Sequence, residues 1–314
     1  MLDKIIPTCR FVVDNANHIK INYDKIKELI DELLVFDNVH YLTKVPYSVY
    51  AMSTKDIVNF LLIYDSIDFS FWGNPKWTID ANDKYLDGGI ALLHCLFNLF
   101  DGHDSLEVYQ KLEHMTLEEF KEILKGNVTI PLLEERYNIV TNIAKIVNNK
   151  MNGNFYNYIS NLTKDEDIFK VILENFVNFD DTRTYKGQTI YFYKLAQLLT
   201  SDILHIREQK EKIKVNYTHL VGCADYKIPQ ILRQFGILNY DNKLAKIVDN
   251  HSEISINSIY EVEIRANMIT VINMINKKLN YKYCRIDIND FIYMQKNNKN
   301  FKMRPYHLTR CTNY

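Results

Sequence analysis

Apolar residues recur at intervals of three and four along most of this chain, the spacing of one face of an α-helix. Within Asp24–Leu34, for example, Ile26, Leu29, Ile30 and Leu33 fall on one side. Thr116 with Glu119, and Thr163 with Glu166, have the Ser/Thr-x-x-Glu spacing of a capping box, each ahead of another such run. Pro131 suits the first turn of a long helix extending toward Val147. An apolar helix is read at Ile57–Ile63, and further helices are predicted at about 167–177, 191–207, 228–235, 258–278 and 288–297. Strand signal is confined to short pieces: Lys76–Ile79 and Lys84–Leu86, separated by Asp80-Ala81-Asn82-Asp83, read as one hairpin. With only 9 glycines and 6 prolines in 314 residues, breakers are few, so the pattern predicts a mostly α, multi-helix fold with one small β-hairpin. The Asn- and Lys-rich stretches 148–150 and 296–300 read as surface loops rather than linkers. No repeat or clear boundary is visible, and 1–314 is taken as one domain, a division into two helical subdomains being left open.

Composition narrows the function classes. Lys+Arg 38 against Asp+Glu 39 leaves a net charge of −1, without the overall basic field of a protein that tracks a long nucleic acid, although a local basic pocket stays open. The start has no apolar core of signal-peptide length, and no segment approaches the roughly 18 apolar residues of a membrane span. A cytoplasmic location is therefore expected. Cys9, Cys95, Cys223, Cys284 and Cys311 are scattered and never spaced C-x-x-C, which indicates reduced thiols rather than a disulfide framework or a thiolate zinc site. Phosphate-cradling glycine loops, H-E-x-x-H and the G-x-S-x-G elbow are all missing from the sequence.

What remains is carboxylates, aromatics and a few basic residues in five clusters. Asp68-Phe69-Ser70-Phe71-Trp72-Gly73 packs three aromatics into four positions, either as a helix exit feeding the core or as a flat wall for a ligand. Tyr191–Asp202 sets Lys194, Gln197 and Asp202 on successive turns, so a lysine and an acid share a face. Glu261-Val262-Glu263-Ile264-Arg265 opens an apolar helix whose acids must find partners elsewhere or face water. Arg304–Arg310 gathers two guanidiniums, an imidazole and a phenol, chemistry suited to a phosphate monoester or else a polar tail. In Val221–Leu232, Asp225 sits beside Tyr226 on a turn running into a helix opened near Pro229, whose positive end favours an ionised carboxylate.

Jointly and in order, these motifs resemble the queuosine salvage proteins, which are queuosine 5'-phosphate N-glycosylases distantly similar in architecture to helical DNA glycosylases. The resemblance runs over nearly the whole chain: Asp68–Trp72, Gly88 before Ala91-Leu92, Pro131–Arg136, Glu174–Phe176, Phe192–Gln197, Ala224–Gln230, Glu261–Arg265 and His307–Cys311. It implies a mostly α-helical hydrolase that cuts the bond between the 7-deazaguanine base queuine and ribose 5-phosphate, with Asp225, in A-D-Y-x-x-P-Q, as the catalytic carboxylate. No metal or organic cofactor is implied, and the partner is a small nucleotide rather than polymeric nucleic acid or a membrane. Breaking an N-glycosidic bond builds positive charge on the ribose, which a preorganised carboxylate stabilises while orienting or deprotonating the attacking water. A 7-deazapurine has carbon at position 7 and cannot be protonated there, so other donors and acids must stabilise the leaving base. Lys194, Asp202 and Glu263 are the candidates. Phe69, Phe71, Trp72 and Tyr226 are the expected stacking surfaces, and Ala224 and Arg265 join the binding set from their motifs.

The sequence departs from the family where an aspartate is expected to contact the base: Asn289 aligns with it, while a slip of one residue restores Asp290. The terminal His307 and Arg310 are expected to hold the phosphate, with Lys194 serving either phosphate or base. A base-lesion glycosylase acting on DNA or RNA would use the same carboxylate logic but needs a basic groove. A noncatalytic nucleotide-binding protein would keep the aromatic walls and the basic tail without needing Asp225.

Overall fold

The helical periodicities become fourteen α-helices among the described residues of the computed structural model, which are 2–34, 40–44, 49–81, 84–297 and 302–314. They are α1 (Ile5–Asp14), α2 (Ile26–Leu33), α3 (Thr54–Ser66), α4 (Gly88–Phe100), α5 (Ser105–His114), α6 (Leu117–Ile123) and α7 (Leu133–Met151). After these come α8 (Phe155–Ile159), α9 (Asp165–Asn175), α10 (Lys194–Glu211), α11 (Lys227–Gln234), α12 (Asn242–Asp249), α13 (Ile259–Lys278) and α14 (Arg285–Met294). No helix among the described residues is long and apolar enough to cross a membrane.

Three helices are buried on nearly every side: α3 over Ile57–Ser66, α10 over most of Lys194–Ile206, and α13 over almost all of Glu261–Asn276. A helix enclosed in this way loses the one-sided apolar stripe of a surface helix. α3 packs against α10, and other helices surround them, α1, α11 and α14 on α13 and α9 on α10. Because α13 and α10 carry polar residues at fully enclosed positions, those side chains must find partners inside the protein.

Several local expectations meet their reasons here. The Thr116–Glu119 capping box is present in both directions. The Thr163–Glu166 box does not form, since α9 starts one residue later, at Asp165, with Lys164 at its cap. Pro131 lies ahead of α7 rather than in its first turn: Leu132 caps the helix in the left-handed region (φ 56°) and the Pro131 carbonyl accepts a bond from Arg136 Nε at 2.9 Å. The expected hairpin exists as β2 (Thr78–Ala81) paired with β3 (Lys84–Asp87), while Asn82 and Asp83 of its turn, and Asn298–Asn300 of the second loop, lie outside the described residues.

Two further antiparallel pairs correct the picture of a single hairpin. β4 (Thr182–Tyr185) and β5 (Gln188–Tyr191) turn through Lys186-Gly187, both at positive φ as a two-residue hairpin requires. β1 (Ile19–Ile21) pairs with the distant β6 (Leu238–Tyr240), tying the N-terminal region to the segment after α11.

Arg136, fully buried on α7, clamps the exit of α3. Its guanidinium donates to the carbonyls of Ile67, Phe69 and Pro131, and it lies 4.3 Å from the Phe69 ring centroid. Asp68 is thereby held between two anchored peptides. Replacing Arg136 with Leu strands three buried carbonyls, so urea unfolding of Arg136→Leu should show a loss of about 3 kcal/mol or more.

Candidate active site

A cavity of about 510 Å³ opens where the exit of α3, the start of α4, the N-terminal end of α10, the segment 223–228, α14 and Tyr306 converge. Its size suits a small molecule. Asp225 stands in its wall on a loop suspended from three helices. Gln197 Oε1 of α10 accepts from the Val221 and Gly222 N–H groups at 2.7 and 3.2 Å. Asn289 Oδ1 of α14 accepts from the Cys223 N–H at 2.9 Å, and Arg265 Nε of α13 donates to the Ala224 carbonyl at 2.8 Å. Gly222 takes φ 115°, and a Cβ there would meet Ile272 Cδ1 at 2.9 Å, so the loop's first turn calls for glycine.

Asp225 Oδ1 accepts from the N–H groups of Lys227 and Ile228, both at 2.9 Å, at the first turn of α11. Its Oδ2 has no partner among the described residues and is available to the cavity. Burial raises the Asp225 pKa above the ordinary carboxylate value, against the lowering influence of Lys194 and of the two N–H groups. Lys194 itself is buried, with Nζ 2.9 Å from the Asp68 carbonyl and 3.0 Å from Asp68 Oδ2. Burial disfavours its charge, but Asp68 and Asp225 more than offset this, leaving the ammonium stabilised between two carboxylates.

The two ends of the cavity differ in sign. At one lie Lys76, Lys227 and Lys296. Lys76 pairs with Asp87 at 2.7 Å. Lys227 Nζ sits 4.2 Å from the Tyr306 ring centroid and Lys296 Nζ 3.7 Å from that of Tyr293, and neither has a carboxylate partner among the described residues. Burial, with Lys227 nearby, pulls Lys296 down to about 8. At the other end lie Tyr41, Asn289 and Asp290, where burial pushes the Asp290 carboxyl up to about 6 against the opposing influence of His40.

Of the residues singled out from sequence, Asp225, Tyr226, Lys194, Phe71, Trp72, Asn289 and Asp290 line this cavity together. Phe69 does not: it is 1% exposed and packed under Arg136, because Ser70 at φ 42° reverses the chain between it and Phe71. Phe71 is stacked on Trp77 and lies beside Arg136, so little of its face is free. Glu263 lies in the core, away from the cavity, accepting from the N–H groups of Asn17 and His18 and from the Tyr185 hydroxyl. Asp202, fully buried, reaches the cavity only through Tyr41, whose hydroxyl donates to it. Arg265 acts on the Ala224 carbonyl, and the Ala224 side chain is buried. His307 is enclosed beside Tyr314, and burial with Arg265 nearby holds it neutral, down to about 3. Arg310 lies 3.6 Å from the Trp72 ring centroid and bridges to Glu253, outside the cavity lining. The C-terminal segment thus sends Tyr306 and Tyr314, not His307 or Arg310, to the cavity. Asp68, Lys227, Lys296, Tyr41 and Tyr293 also line the cavity, and no local spacing in the sequence marks them as site residues.

Comparison with known proteins agrees on one family. The family model described as queuosine salvage protein matches residues 48–314. A queuosine 5'-phosphate N-glycosylase/hydrolase of Sphaerobacter thermophilus is 28% identical over 315 residues, covering 99% of this chain and 97% of the relative. Proteins of the same description from Mus musculus (24% over 330 residues; 98% and 97% covered) and Bos taurus (27% over 277 residues; 82% and 81% covered) are similar as well.

Lys227 and Lys296, without carboxylate partners among the described residues, predict pH-dependent anion binding. An anion favours the charged form of Lys296, so its binding is strongest below the free protein's value near 8 and weakens as pH rises through it. Calorimetric titration with inorganic phosphate should show affinity falling between pH 7 and 9 in the wild type and a flatter profile in Lys296→Ala.

Proposed function

The chain belongs to the queuosine salvage protein family, and from that premise we propose that it hydrolyses the N-glycosidic bond of queuosine 5'-phosphate, releasing queuine and ribose 5-phosphate and so recovering queuine for tRNA modification. The observation that carries the catalytic assignment is the asymmetry of Asp225, with one carboxylate oxygen fixed by two backbone N–H groups and the other without a partner among the described residues, in the cavity wall.

As the bond between the base nitrogen and C1′ of the ribose lengthens, its electron pair leaves with the base and C1′ becomes cationic. Asp225 Oδ2 stabilises that charge and takes the proton of the water that adds to C1′, while the base nitrogen that received the electron pair gains a proton from solvent and Asp225 returns its own to solvent as the products leave. Lys194, held by Asp68, lowers the proton affinity of Asp225 in the resting site and keeps the carboxylate ready. The 5'-phosphate belongs at the end carrying Lys227 and Lys296, where its charge relieves the repulsion between them. Binding energy gained on this unreactive group aligns C1′ with Asp225. The base then extends toward Tyr41, Asn289 and Asp290, with Trp72 and Tyr226 as flanking surfaces.

Asp225→Asn keeps the shape and the helix-start hydrogen bonds but removes the charge. Turnover of queuosine 5'-phosphate should fall by about 10²–10³-fold with substrate binding retained. Near-normal turnover would move the role to another acid of the cavity.

Phosphate recognition separates two sets of cations. In Lys227→Ala, kcat/KM should fall by about ten- to a hundredfold on the nucleotide, the worth of a charge-assisted hydrogen bond, and much less on queuosine without its phosphate. Arg310→Ala, which uncovers Trp72 and removes the bridge to Glu253, should lower activity on both substrates alike. A selective loss on the nucleotide in Arg310→Ala would return the phosphate to the C-terminal segment.

A further inference from the structure

The acidic end of the cavity contains a second carboxylate with a free oxygen. Asn289 is fixed as an amide acceptor by the Cys223 N–H, so its Nδ2 must face the other way, and it donates to Asp290 Oδ1 at 3.1 Å. Asp290 Oδ2 has no partner among the described residues. An aspartate at position 289 would set two carboxylates side by side; the amide instead orients Asp290 and favours its ionised form. Behind it, Tyr41 points its hydroxyl at the enclosed Asp202, so the phenol oxygen offers lone pairs to the cavity. His40 is the basic group on this side, its pKa raised by Asp202 against the effect of burial; it lies 3.3 Å from Asp202 and is stacked on His205 at 3.9 Å between ring centroids, which keeps it committed to that pair. With Asp202, Asp287 and Asp290 against His40, this end of the cavity is a place for positive charge, while the lysine end is a place for negative charge.

The nucleotide named above has the matching pattern. Besides its phosphate, queuosine carries a secondary amine in the substituent at position 7 of the base, protonated at neutral pH. Resting on the glycosylase reading for the identity of the ligand, we infer that Asp290, oriented by Asn289 and flanked by Tyr41, pairs with the ammonium of the base's 7-substituent and selects 7-deazaguanine nucleotides whose side chain is cationic. Tyr41 lies ahead of the stretch matched by the family model, so part of this end is built by residues outside it.

The test uses two 5'-nucleotides of similar size, 7-aminomethyl-7-deazaguanosine phosphate (cationic) and 7-cyano-7-deazaguanosine phosphate (neutral). Their dissociation constants are measured by calorimetry on Asp225→Asn protein, so that neither is consumed. The cationic nucleotide should bind about ten- to a hundredfold more tightly, the worth of one charge-assisted hydrogen bond. Adding Asp290→Asn should bring the ratio toward one. Equal affinities in the Asp225→Asn protein, or an unchanged ratio in the double variant, would overturn the inference. A measurement that leaves Asp290 intact is NMR of the nucleotide labelled with ¹⁵N at its aminomethyl group. The amine should stay protonated to higher pH when bound than when free, and an unshifted or lowered value would overturn the inference even if the double variant does not fold. Wild-type protein that leaves queuosine 5'-phosphate intact would overturn the glycosylase reading instead, whatever these affinities show.

Discussion

The whole site depends on one buried ion network centred on Arg265. Its guanidinium donates to both oxygens of Asp181 and to Glu261, and Arg183 bridges the same two acids. All four groups are almost completely enclosed, with the Phe192 and Tyr314 rings about 4 Å from the Arg265 guanidinium. Removing charges from water is so unfavourable that such groups persist only when each is paired and hydrogen-bonded. Here two acids and two bases close that requirement among themselves. The bonds left over are the ones that matter for function, since Asp181 also accepts the backbone N–H of Lys194 and Arg265 also holds the Ala224 carbonyl. One network thus positions the lysine and the carboxylate that face each other across the cavity wall.

Arg136 does for the third member what Arg265 does for the other two. By bonding the carbonyls on either side of Asp68 it sets that carboxylate against Lys194. Neither arginine touches the cavity. Their contribution is preorganisation: the peptides bearing Asp68, Lys194 and Asp225 are fixed before any ligand arrives, so little reorganisation remains for the reaction itself.

Long-range geometry divides what the sequence discloses from what it conceals. The buried helices were legible because their apolar positions recur over many turns, and Asp225 because it precedes a helix start by two residues and sits in a motif. The acids Glu263 and Asp202 looked equivalent to Asp225 as residue types, yet Glu263 fastens the segment after α1 and Asp202 answers to Tyr41. No local spacing distinguishes a carboxylate facing backbone N–H groups from one facing a cavity. Phe69 and Phe71 alternate as neighbours on a wall would, but the positive φ at Ser70 sends them different ways. Lys227 and Lys296 are far apart in sequence, so their meeting at the cavity mouth depends on α11 packing against α14. The C-terminal run of His307 and Arg310 had the right composition for phosphate, but the chain buries the first and lays the second over Trp72.

Five of the aspartates in or beside the cavity have environments that sort them into different states. Asp65 is fully buried with both oxygens unpartnered among the described residues, and burial with Asp202 and Asp68 nearby raises its pKa well above the ordinary carboxylate value, which favours the neutral form. Asp202 answers to Tyr41 and His40, and Asp68 to Lys194. Asp290, raised to about 6 and bound at one oxygen by Asn289, keeps its second oxygen for the cavity. Asp225 also has a free oxygen, but it alone of the five is held by backbone N–H groups at a helix start, donors that cannot be moved or protonated away. An anion set on fixed dipoles, with a lysine opposite and a free lone pair on the cavity side, can meet a developing cation without first breaking any bond of its own. The same residue type, placed four other ways within one site, is a neutral filler, an anchor for a tyrosine, a tether for a lysine, or a tunable charge.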